Sequence, residues 1–143
     1  MKLGTEAREV ALAEVQAVLA LARDKEHLAR LAAELDAGEV VEEELLESVL
    51  ELALQTGRIR AYHGPGGEQA ALATLRQLPR GRARTASARE VSEALRVLAG
   101  KELDAVSIAA IAPGAFTLSL EAGGLETSVR LDHNGARIQS VAA

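Results

Sequence analysis

The hydrophobic period of this chain changes once, near Leu103, and that change limits the fold more than any single motif. Upstream, apolar residues return every three or four positions; downstream, they return every second position. Phe116, Leu118 and Leu120 alternate with Thr117, Ser119 and Glu121. Leu125, Thr127, Val129 and Leu131 alternate with Glu126, Ser128 and Arg130, with Val106 and Ile108 before these runs and Ile138 after them. Ala112-Pro113-Gly114, Ala122-Gly123-Gly124 and Asn134-Gly135 separate the runs as turn signals. Asn134-Gly135 predicts a type I′ hairpin, whose two central residues both need positive φ. The pattern predicts an antiparallel meander of three or four strands with one apolar face. Helices first and sheet last make the expected fold class α+β.

In the helical part, Thr5 is placed to cap a first helix whose stripe is Leu12, Val15 and Leu19. Leu28, Leu31 and Leu35 form a second stripe, out of phase with the first, so a break is expected at Arg23-Asp24-Lys25-Glu26, with Asp24 as a cap. Gly38 can end this element in a left-handed conformation. A third helix is expected from about Glu39 to Gln55, with Leu46, Val49 and Leu50 on one side and Gly57 as its stop. Arg58 to His63 reads as extended, Gly64-Pro65-Gly66-Gly67 as a turn, and Glu68 to Leu78 as a helix. Pro79 to Thr85 reads as an exposed loop, and Ser87-Ala88-Arg89-Glu90 as a capping box opening a helix that Gly100 closes. The expected division is a helical segment over 1–56 and an α+β domain over 57–143. If the helices at 68–78 and 87–99 cover the meander, the stripes Leu12, Val15, Leu19, Leu28, Leu31, Leu35, Leu46 and Val49 remain as the candidate association surface.

Composition removes most chemistries. The chain has no Cys, which excludes disulfides, thiolate metal sites and cysteine nucleophiles. Tyr62 and Phe116 are its only aromatics, so base stacking cannot support nucleic-acid recognition. His27, His63 and His133 lack the i, i+4 spacing of a helical zinc pair, and no Gly-x-Ser-x-Gly elbow surrounds a serine. Glu42-Glu43-Glu44 reads as a solvated acidic face at a helix start. No catalytic residue, metal or cofactor is expected. The opening residues lack the apolar stretch of a secretory signal, and no apolar run approaches membrane-spanning length. A cytoplasmic protein is expected.

Charge is divided into blocks. The net charge is −5, but residues 1–55 carry −8 and residues 56–89 carry +6. The simpler reading pairs the acidic helices with the Arg-rich middle, within one chain or between copies. A second reading gives Arg76, Arg80, Arg82 and Arg84 an acidic protein partner; the overall acidity disfavours nucleic acid. A third assigns an anion to the turn at Gly64, Gly66 and Gly67, flanked by Arg58 and Arg60, because a glycine-rich turn entering a helix can present backbone N–H groups. That turn lacks the Gly-Lys-Ser/Thr ending of a P-loop, and Glu68 would compete with the anion.

Gly57-Arg58-Ile59-x-Ala61, Gly64, Gly67-Glu68-x-Ala70, Leu72, Leu75, Leu78 and Gly81 resemble the closing segment of the PATAN domain. The resemblance covers residues 57–81. It implies a strand leading into a Gly-Glu-x-Ala-opened helix, and a non-enzymatic adaptor of bacterial signalling or motility proteins. From the residues themselves, the expected function is a non-catalytic assembly module that forms homo-oligomers. The alternative is a small anionic-ligand domain, for phosphate or nucleotide, using the turn at 64–67.

Overall fold

Leu28, Leu31, Leu35, Leu46, Leu50 and Ile59 meet in one cluster, and the helices that carry them are arranged around it. A computed structural model describes all residues, Met1–Ala143. The helices are α1 (Thr5–Leu21), α2 (Glu26–Ala37), α3 (Glu43–Gln55), α4 (Arg58–Gln77) and α5 (Pro79–Leu95), followed by a 3-10 turn at Arg96–Leu98. The strands are β1 (Ala105–Ala112), β2 (Ala115–Ala122), β3 (Leu125–Asp132) and β4 (Gly135–Ala142). The fold is therefore α+β, with five helices followed by a four-stranded antiparallel meander in the order β1-β2-β3-β4. Two compact units divide the chain at Gly81/Arg82, inside α5, rather than at the expected boundary of 56/57. The reason lies in α4, which packs against α1 and α3 and so belongs with the first helices.

Several helix ends differ from expectation, and at α3 and α5 a carboxylate from another helix sets the start. α1 starts after Gly4 without a side-chain cap, so Thr5 is its first residue and not its cap. Asp24 does support the start of α2, accepting the Glu26 N–H at 3.2 Å, and Gly38 ends α2 at φ 86°. α3 begins at Glu43 and not Glu39. Glu34 of α2 accepts the N–H groups of Val41 and Glu42 at 2.8 and 3.0 Å and holds the approach to α3 outside the helix.

Arg58 to His63 is helical, not extended. Gly64 (φ 69°, ψ −173°) interrupts α4, and Pro65 begins its second stretch, where a missing N–H and a fixed φ suit a first turn. Pro79 to Thr85 is the start of α5, not a loop. Glu47, wholly buried on α3, accepts the N–H of Arg80 at 3.1 Å and that of Gly81 at 2.9 Å, a cap supplied from another helix. Gly81 is needed there: a Cβ would lie 1.7 Å from the Leu75 carbonyl oxygen. With α5 already begun, Ser87 sits mid-helix and its hydroxyl donates to the Ala136 carbonyl instead of capping.

In the sheet the apolar residues share registers. Val106 faces Leu120, Ile108 faces Leu118, and Leu118 in turn faces Val129. The type I′ geometry falls on Gly123 and Gly124, at φ 55° and 80°, and not on Asn134-Gly135. At the last hairpin only Gly135 has positive φ, and Asp132 Oδ1 accepts the Asn134 N–H at 2.9 Å. That bond and the Arg130 side chain hold the Asp132 carboxyl below its ordinary value of 3.8.

Candidate functional site

The glycine-rich segment assembles an internal ion-pair cluster. Helical phase places Tyr62 one turn beyond Arg58 on α4, with His63 next to it. Arg58 Nε donates to Glu14 Oε2 at 2.7 Å, and its guanidinium lies 4.5 Å from the centroid of the Tyr62 ring. His63 Nε2 is 3.1 Å from Glu14 Oε1. Glu14 is buried, so α1 supplies the acceptor for two α4 side chains. Arg60 pairs with Glu68 at 3.2 Å. Gly67 is needed where the second stretch of α4 passes the first: a Cβ would lie 2.3 Å from the His63 Cβ. A Cβ at Gly66 would stand 3.1 Å from the Glu6 carboxylate. Arg58 and Arg60, two residues apart on α4, meet different carboxylates, Glu14 and Glu68, and Gly66 lies beside Glu6. An incoming anion would have to displace carboxylates from both guanidiniums. The strand that the PATAN resemblance implies at Gly57–Ala61 is helical from Arg58 onward in this chain.

The arginines of the middle segment are met separately. Arg80 bonds Glu47 at 3.3 Å, Glu51 at 3.1 Å and the Ser48 hydroxyl at 3.1 Å. This is the acidic-to-basic pairing within one chain that the charge blocks suggest. Arg84 lies beside Gly135 of β4, and Arg76 is exposed. His27 and His133 are exposed, and no three His, Cys, Asp or Glu side chains are grouped to hold a metal ion. No helix is long and apolar enough to cross a membrane.

The helical stripes are core, which corrects their assignment as an association surface. Val15, Leu28, Leu31, Leu35, Leu46 and Val49 are buried inside residues 1–81, and Leu12 and Leu19 pack against that cluster. The stripes satisfy one another within one chain. A cleft of about 220 Å³ remains beside them, lined by Val18, Leu21, Val49, Leu52, Glu14 and Arg58, among others.

The open apolar surface lies instead on the sheet. Thr127 and Val129 of β3 are buried, as is Val91 of α5, but all eight residues of β1 are exposed. Val106 is 56% exposed, Ile108 63% and Phe116 41%. Residues 68–78, expected as a cover for the sheet, are part of α4, which packs with α1 and α3. Sequence reasoning leaves an edge strand of the meander as the association surface if the helical stripes do not supply one, and β1 is such an edge: Ala105-Val-Ser-Ile-Ala-Ala-Ile-Ala112 contains no charged residue and no proline. Comparison with known proteins finds no matching family, no matching characterised protein and no matching solved structure, so the chain's own geometry carries the functional argument.

Proposed function

We propose that this chain is a non-catalytic interaction module that self-associates through its C-terminal sheet. The observation that carries this reading is the uncovered part of the sheet's apolar face, where Val106, Ile108 and Phe116 stand exposed beside half-buried Leu118 and Leu120. Burying a side chain of this size is worth roughly 1.5–3 kcal/mol, so a cluster of them favours association. The ion-pair cluster of α1 and α4 supports the same reading, since its guanidiniums are already matched by carboxylates.

Sedimentation velocity across a wide concentration range, repeated at low and high salt, tests the proposal. Self-association that persists at high salt is expected, because apolar contacts are not screened. Association that disappears with salt would assign it to the charge blocks instead. A monomer at every concentration overturns the reading.

A further inference from the structure

β1 is an edge strand of the sheet, paired with β2 alone. Its outward N–H and C=O groups form a template for another strand, and it carries no lysine, proline or inward charge that would blunt such pairing. β4, the opposite edge, differs. It carries the exposed charge of Arg137, and Ser87 already occupies the Ala136 carbonyl.

We propose that β1 of one copy pairs antiparallel with β1 of a second copy, Ser107 facing Ser107, to make one eight-stranded sheet. The inference rests on the self-association reading and specifies its geometry. A two-fold axis perpendicular to the sheet keeps both apolar faces on the same side only if even-numbered residues face even and odd face odd. With Ser107 on the axis, Val106 faces Ile108 of the second copy and Ile108 faces its Val106. Both exposed β-branched side chains thus gain a cross-strand partner. Asp104 falls opposite uncharged Ala110, so no like charges meet. The other face argues for the same register. Ser107 faces Ser119, Ser119 faces Ser128 and Ser128 faces Ser140, a row of hydroxyls across all four strands. Pairing at Ser107 continues that row through the second copy without a break.

The test uses single-cysteine variants of the full chain, which has no cysteine of its own. Directly opposed residues of an antiparallel pair have Cα atoms about 4.5–5.5 Å apart, within disulfide range, whereas diagonal neighbours are about 7–8 Å apart. Under mild oxidation Ser107→Cys should cross-link to a covalent dimer, and Ile108→Cys and Ser140→Cys should do so far more slowly. Ile108→Lys, at an exposed position that tolerates the change, should weaken dimerisation roughly 100-fold while leaving the circular dichroism unchanged. Faster cross-linking of Ile108→Cys overturns the register, and faster cross-linking of Ser140→Cys overturns the choice of edge. A wild-type dimer in which neither β1 position cross-links and Ile108→Lys is without effect overturns this inference but not the self-association reading. A wild-type monomer in sedimentation overturns both.

Discussion

Glu47 is wholly buried, and each of its oxygens meets a backbone donor: Oε2 the N–H of Arg80 and Oε1 that of Gly81. Removing the carboxylate takes away the acceptor that Glu47 offers each of these N–H groups at the start of α5, while the half-exposed Arg80 guanidinium keeps Glu51. Glu47→Ala should therefore destabilise the chain by about 2–4 kcal/mol, read from urea denaturation. Thr127 presents the opposite case. It is fully buried in β3, and its hydroxyl has no hydrogen-bond partner. Thr127→Val keeps the shape and the β-branching and removes the unpaired group. Stabilisation of about 1 kcal/mol is expected; a loss of stability would mean that the hydroxyl has a partner.

At the scale of elements, the hairpins separate by what their central residues must do. Gly123 and Gly124 both sit at positive φ, so the β2–β3 turn should accept Gly123→Asn nearly unchanged, because Asn-Gly suits a type I′ turn. Gly124→Val forces a β-branched residue into that region and should cost about 1–3 kcal/mol by thermal denaturation. Equal effects of the two substitutions would show that the turn is misassigned. The strands were legible in the sequence because alternation is a local property: Phe116 to Leu131 shows it without reference to any other element. Turn type was not, since Asn134 is held by a bond from its own N–H to Asp132 and keeps negative φ. Helix starts were the least legible. The glycines and proline at 64–67 suggest a loop, yet only Gly64 leaves helical geometry, and α5 begins where Glu47, 33 residues before Arg80, places a cap. Of the residues around the candidate anion turn, Glu68 was legible as a competitor because it lies on α4 itself, whereas Glu6 and Glu14 come from α1 and could not be read from the local sequence. The exposure of β1 became apparent only with its place at the edge of the sheet.

At the scale of the whole molecule, apolar burial is unequal. The cluster of fourteen buried residues belongs entirely to residues 1–81. Residues 82–143 bury only Val91, Ala115, Ala122 and Val129 among their apolar side chains, together with Thr127. The sheet should accordingly open first, and unfolding should not be a single two-state transition. Hydrogen exchange should find the strongest amide protection at Leu31, Leu35, Leu46 and Leu50, and protection in β1 that rises with protein concentration. Uniform protection across both units would contradict this order.

The guanidinium of Arg58 over Tyr62 has an optical consequence. With no tryptophan in the chain, Tyr62 supplies nearly all of the intrinsic emission, and it lies in the helical unit. The sheet contributes only Phe116 and is almost dark. Tyrosine fluorescence of the unlabelled protein thus reports the loosening of α4 from α1, while the far-ultraviolet strand signal reports the meander. Two ordinary spectra, recorded on one melting sample, follow the two halves of the chain separately.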